Sequence, residues 1–267
     1  METEITNKEP GRKVTFIVLI TVLSSFIVYY SLMSMISPAL KLKEIKNEFG
    51  TKTAENGVVD QRILIDSTYL RLLKEKAFLQ SRILMAETDS IYLTLNLVDS
   101  TANLEISGVI VHKAKMSSMQ TSKIFTKGNN NAILSMIASP FTISHTFSTI
   151  KKEPLMIKMA PKDTSEYKPD IMPDTSLTEP VNYVLQLTHG IRVYVYQEEN
   201  SKFNDRMSRC SFDIKDRLRD TWSSLKSVAV LKVPEYHPFI KIRLPRIDAK
   251  IIFRAIPKNG QIAVYRL

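Results

Sequence analysis

The stretch "IKIRLPRIDAKIIFRAIPKNGQIAVYRL" occupies residues 240–267. Its first five residues alternate apolar and charged side chains, the period of a strand with one buried face. After Pro245 the period lengthens through "DAKIIFRAI" (248–256), which reads as a helix closed by Pro257. The Asn259–Gly260 pair then turns the chain into "QIAVYRL", a second strand. The order strand, helix, turn, strand predicts a sheet with a helix laid on it.

Outward from that stretch the same alternation recurs. "FTISHTF" (141–147), "LMIKMA" (155–160), "VNYVLQL" and "IRVYVYQ" (both within 181–197) and "VAVLKV" (228–233) read as strands. Residues 90–116, "SIYLTLNLVDSTANLEISGVIVHKAKM", read as two strands joined by a turn at "VDSTAN". The Pro-rich "KPDIMPDTSLTEP" (168–180) reads as a surface loop. A further helix is predicted for "SFDIKDRLRDTWSSLKSV" (211–228), with Ser211 as N-cap, Asp213 in the first turn, and Ile214, Leu218, Trp222 and Leu225 on one face. The fold class is mainly β with packed helices.

Residues 14–36, "VTFIVLITVLSSFIVYYSLMSMI", carry no charge and match the roughly 20 apolar residues that cross a hydrocarbon core. The run is too long for a signal-peptide apolar region and lacks a small-x-small cleavage site, so it reads as an uncleaved signal anchor with Pro38 marking its far end. Basic residues flank both sides. A tail of residues 1–13 is too short to be a domain, so the large part, 37–267, is expected outside the cytoplasm: a single-pass inner (cytoplasmic) membrane protein with its C-terminal domain in the periplasm.

The tail balances its acidic residues (Glu2, Glu4, Glu9) with basic ones (Lys8, Arg12, Lys13), so the net charge of +10 belongs to the exported part. Such a surface favours anionic neighbours, namely lipid headgroups or acidic stem peptides of a cell wall. Nucleic acid is not expected, because the basic residues are scattered and no recognition motif appears. One cysteine, Cys210, rules out an intramolecular disulfide, and stability must come from a core.

Residues 37–88 read as a helical stalk or linker before a β-rich domain at 89–267. Within it "ALKLKEIKNEF" (39–49) is a short amphipathic helix stopped by Gly50. In residues 58–87, Val59, Ile63, Leu70, Leu73, Ala77 and Leu84 recur at helical spacing. Two readings stand there: a coiled-coil stalk that forms oligomers, or a helix packed on its own domain, which the doubtful Ser67 and Gln80 on the seam favour.

Residues 90–267 resemble the L,D-transpeptidase family of cell-wall cross-linking enzymes. That family's Ser-x-Gly-Cys-Ile-Arg-Leu run, followed by Asp-Ala opening a helix, is matched here by Ile242, Arg243, Leu244, Asp248 and Ala249. The register sets Lys241 at the nucleophilic cysteine, Ile240 at the glycine and Pro238 at the serine. The family's histidine-bearing strand is matched by "HGIRVYV", with Gly190, Ile191 and Val193 kept and Tyr194 at the histidine.

The resemblance implies that the catalytic pair is gone. Transpeptidation needs a thiolate, a base and an oxyanion site. A lysine ammonium stays protonated near neutrality and a phenol with a pKa of about 10 is a poor base there. Expected, then, is a pseudoenzyme whose Gly190, Tyr194, Lys241 and Arg243 form a binding surface for peptidoglycan stem peptides or an envelope partner protein, with no cofactor and no metal. A rival reading makes Cys210 the nucleophile, activated at the N-terminus of the helix begun by Ser211, with His189 as base. His112, His145 and His237 have no metal-ligand spacing.

Overall fold

The computed structural model describes residues 10–50, 67–127, 130–152, 179–199 and 202–265. It combines helices with a nine-stranded sheet and has an apolar N-terminal helix. The chain divides into two compact units, Leu42–Asp216 with His237–Leu267, and Met1–Lys41 with Arg217–Tyr236.

The larger unit holds the sheet. Its strands are β1 (Tyr92–Asn96), β2 (Thr101–Ile106), β3 (Val109–Lys115), β4 (Ser118–Thr121), β5 (Phe141–Ser148), β6 (Asn182–Leu187), β7 (Arg192–Gln197), β8 (Phe239–Leu244) and β9 (Gln261–Tyr265). They lie side by side in the order β3-β2-β1-β9-β5-β6-β7-β8-β4. Two neighbouring pairs are parallel, β1 with β9 and β7 with β8. Strands β1, β6 and β7 are buried on both faces, which is why they carry Leu, Val and Tyr at successive positions instead of a strict alternation.

The stretch 240–267 folds as read: β8, then helix α6 (Arg246–Ala255), then the turn at Gly260, then β9. Gly260 is required there, since a Cβ would come within 2.5 Å of the Ile256 side chain. The hairpin of residues 90–116 is three strands, not two. Its second turn falls at Ser107 and Gly108, both at positive φ (46° and 83°), the primed geometry that suits a tight hairpin.

Helix α2 (Ser67–Ala86) lies on the sheet against β9 and against α4 (Asn130–Ile137). Ala77, Ser81 and Met85, four residues apart, are buried; Met85 clusters with Tyr92 and Ala263, and Phe78 packs on the Tyr265 ring at 5.1 Å. Arg82 reaches over to the buried Glu105 of β2 at 2.8 Å, and the Thr94 hydroxyl donates to the same carboxylate at 2.7 Å. On α6, Phe253 meets the Tyr183 ring at 4.8 Å. Short helix α3 (Lys123–Lys127) completes the unit with α4.

Several expectations are corrected. Residues 39–49 are not a separate helix: α1 runs unbroken from Pro10 to Gly50, with Pro38 inside it. A proline removes a single i→i−4 bond, and the helix continues past that loss to Gly50. The helix predicted from Ser211 begins earlier, as α5 (Phe203–Ala229), its added turns tied down by the buried Asp205, which pairs with Arg246. "VAVLKV" is not a strand: α5 runs to Ala229, and residues 232–238 form no ladder. The predicted strand at 155–160, most of the Pro-rich loop and the helical turns at 58–66 lie outside the described residues.

In the smaller unit, α1 from Val14 onward is long and apolar enough to cross a membrane. The Thr21 hydroxyl donates to the Ile17 carbonyl 2.9 Å away, so this polar group is satisfied within its own helix. The same unit contains the last turns of α5 and the chain up to Tyr236, whose Pro234 carbonyl accepts a 2.5 Å hydrogen bond from Ser37.

Candidate functional site

Strands β7 and β8 pair in parallel with Tyr194 opposite Lys241, Tyr196 opposite Arg243, and Arg192 opposite Phe239. Along β8 the residues Ile240, Ile242 and Leu244 are buried, which turns Phe239, Lys241 and Arg243 to the other side of the sheet. Lys241 sits over two rings, its Nζ 4.8 Å from the centroid of Phe239 and 5.5 Å from that of Tyr194. These are cation–π contacts that hold the ammonium against the sheet. The two positions singled out by the family resemblance, 194 and 241, are thus immediate neighbours.

Over this face, within the larger unit, lies the first half of α5. Tyr194 donates its hydroxyl to Asp216 at 2.8 Å, and Tyr196 donates to Asp213 at 2.8 Å. The two tyrosine rings are parallel, 6.3 Å apart. Phe212 meets Tyr196 edge-on at 6.3 Å, and the Arg209 guanidinium lies 4.7 Å over the same ring. Asp205 completes the attachment through Arg246 at 2.7 Å.

Burial pushes the Tyr194 phenol up to about 12; Asp216 adds to the rise, against the opposing pull of Arg192. Tyr196 is raised still further, by burial first and then by its bond to Asp213. Both phenols are therefore protonated hydrogen-bond donors over the whole physiological range, and neither can accept a proton from a nucleophile. Lys241 has two aromatic faces beside it and offers charge instead of a thiol. The arrangement can hold an anion or a carboxylate next to Lys241 and Arg243.

The remaining predicted positions are spread around this face. Gly190, at φ 73°, closes the turn Thr188–Gly190 between β6 and β7, and its carbonyl meets His237 Nδ1 at 3.1 Å. His189 also has positive φ (61°); its Nδ1 pairs with Glu48 at 3.2 Å and its ring meets Phe49 edge-on at 4.9 Å. Cys210 is exposed and lies inside α5. Because the helix starts at Phe203, Cys210 lies in its interior and not at the N-terminus expected from Ser211 as N-cap. His112 meets Asp248 at 3.1 Å, joining β3 to the start of α6.

Among the described residues no group of three or more His, Cys, Asp or Glu is placed to hold a metal ion. A cleft of about 120 Å³ between Ile45, Phe125, Ile133 and Met136 is lined almost wholly by apolar atoms, with Lys46 at its wall.

Sequence reading missed Asp213 and Asp216 as partners of the tyrosines. Two aspartates three apart on a helix read as a solvated face, and only the i, i+2 spacing of Tyr194 and Tyr196 on one face of β7 hints at a matching pair of donors. No protein-family model, curated protein or solved structure matches this chain.

Proposed function

We propose that this chain is a single-pass protein of the cell envelope, anchored in the inner membrane by α1, whose exported domain is an L,D-transpeptidase-like module without the catalytic groups. It binds acidic cell-wall stem peptides. The observation that carries the reading is the side-by-side placement of Tyr194 and Lys241 at the two positions where the resemblance expects histidine and cysteine, with the phenol engaged by Asp216.

Three features support the binding role. Lys241 and Arg243 point to one face of β8, where they suit carboxylates of a peptide. Next to them, among the described residues, β4 is the last strand of the sheet, with Ser118 and Gln120 paired opposite Arg243 and Lys241 and exposed. An extended peptide can therefore add along that edge by main-chain hydrogen bonds while its carboxylates meet the cations. The net charge of +10 raises the local concentration of anionic ligands.

The test uses detergent-solubilised full-length protein. With a carbapenem at neutral pH, intact-mass measurement shows no adduct; stoichiometric acylation mapped to Cys210 would overturn the non-catalytic reading. With an acidic stem peptide, binding is observed calorimetrically, and Lys241→Glu weakens it at least about tenfold, on the order of 1.4 kcal/mol. Equal binding by the variant would remove the proposed site.

A further inference from the structure

The end of α5 carries an apolar surface that the proposed peptide site does not use. In the smaller unit, Leu218 is 63% exposed, Trp222 60%, Val230 67% and Leu231 76%. Leu218, Trp222 and Leu225 fall at i, i+4 and i+7, one stripe of the helix, and Arg219 and Lys226 border it. Lys226 Nζ lies 5.6 Å over the Trp222 ring.

The turn that ends the helix is unusual in its choice of residue. Lys232 N–H donates to the Ser227 carbonyl and Leu231 N–H to that of Val228, both at 2.9 Å, the paired bonds of a Schellman cap. The residue at the left-handed position, Leu231, has φ 58°. Glycine meets that backbone at no steric cost, whereas a leucine is strained there. The turn thus bears strain while displaying an exposed apolar side chain at its tip.

Three residues after that tip, Pro234 accepts the hydrogen bond from Ser37, the residue that follows the uncharged run 14–36 of α1. Val228 and Pro234 are buried on either side of the exposed pair Val230 and Leu231. The apolar tip is thereby tied to the level of α1 at which its uncharged run ends. In a chain whose α1 spans a bilayer, that level is the interface between acyl chains and headgroups, where tryptophan ring, leucine side chain and bordering lysine or arginine each find a suitable environment.

We propose that Arg217–Leu231 is a second membrane contact, an interfacial segment that inserts Leu218, Trp222, Val230 and Leu231 among anionic phospholipids with Arg219 and Lys226 at the headgroups. This rests on reading α1 as a membrane span. The occupant of the apolar surface is a lipid bilayer and not a second copy of the chain, because the Ser37–Pro234 bond ties the surface to the membrane-crossing helix of its own molecule.

Trp222 is the single tryptophan, so the unmodified protein reports on itself. The full chain is reconstituted in bilayers of phosphatidylcholine and phosphatidylglycerol, with phosphatidylcholine brominated high or low on its acyl chains. The expected result is blue-shifted Trp222 emission, strong quenching by the high-brominated lipid, weaker quenching by the low-brominated one, and little by aqueous iodide. A companion protein, Trp222→Phe with Phe26→Trp, places the probe in the middle of the uncharged run and is expected to be quenched most by the low-brominated lipid. If Trp222 responds to iodide and not to lipid while position 26 responds to lipid, the inference fails and the anchor stands. If neither responds to lipid, the membrane reading fails and this inference with it. A Trp222 shielded from both quenchers overturns the inference in favour of a protein partner.

Discussion

Helices α2 and α5 look alike in the sequence and meet the sheet in opposite ways. Each has an apolar stripe at helical spacing. On α2 the buried positions are small or flexible, Ala77, Ser81 and Met85, and the contact with Tyr92, Ala263 and Tyr265 is apolar. On the first half of α5 the side turned to the sheet is made of Asp205, Phe212, Asp213 and Asp216, held by Arg246, Tyr196 and Tyr194, while the large apolar residues Phe203, Met207 and Ile214 are more than half exposed. Periodicity tells that a helix exists; it does not tell which face meets the sheet. That choice falls to what the neighbours offer: an apolar surface over β1 and β9, the tyrosine hydroxyls of β7 and the Arg246 guanidinium of α6.

The contrast breaks most visibly at Met85. Its side chain is fully buried, so Met85→Ala is expected to destabilise the protein by about 3 kcal/mol, read as a lowered midpoint in urea for the full chain in detergent. A loss under about 1 kcal/mol would mean that α2 is held no more firmly than a surface helix.

On α5 the expected effect is smaller and depends on pH. Asp216→Asn weakens the bond from Tyr194 and is expected to cost about 1 kcal/mol. It also lowers the Tyr194 pKa from about 12, because the carboxylate contributes to the rise, while burial keeps it above the ordinary phenol value. The sign follows from the raised pKa. A phenol that holds its proton more tightly when folded adds stability fully present below about 10, and this is lost as pH climbs towards 12. Ultraviolet titration of the phenols, compared between the two proteins, gives the shift, and unfolding midpoints measured over the same range give the loss. Identical alkaline limbs would mean that α5 is not attached through Tyr194.

Ile214→Ser sharpens the comparison from the other side. At an exposed position of α5 within the larger unit it is expected to change stability by less than about 0.5 kcal/mol. A loss like that of Met85→Ala would show that this face of α5 is covered.

The strands were legible to the degree that their surroundings are one-sided. β8 alternates cleanly, β5 does so only up to the register shift between Ile143 and His145, and β6, β7 and β9 were bounded by Gly, Pro and Asn signals. The turn between β2 and β3 was not seen, because "EISGVIV" reads as an uninterrupted strand unless Ser107 and Gly108 are given positive φ. The short helix α4 has eight residues, too few to establish a period. "VAVLKV" has the β-branched composition of a strand, yet its first two residues complete α5. Ser211 was a convincing N-cap by type, but N-caps are defined by the backbone and not by the residue. At the site, the positions Tyr194 and Lys241 came from resemblance, and their adjacency needs the parallel pairing of β7 and β8, which no local pattern encodes. The aspartates above them belong to a long-range contact that spacing along one helix cannot reveal.

The place of β9 in the sheet bears on how the protein is made. Its five residues, Gln261–Tyr265, form the strand farthest along the described chain, and they fill the gap between β1 and β5. Until they arrive, the strands that flank them expose two open edges, and β1 waits for a partner encoded more than a hundred and fifty residues downstream. Closure of the sheet is therefore slow, because the pairing is non-local. It also leaves the unfinished domain with unpaired strand edges, which are prone to aggregate until β9 docks.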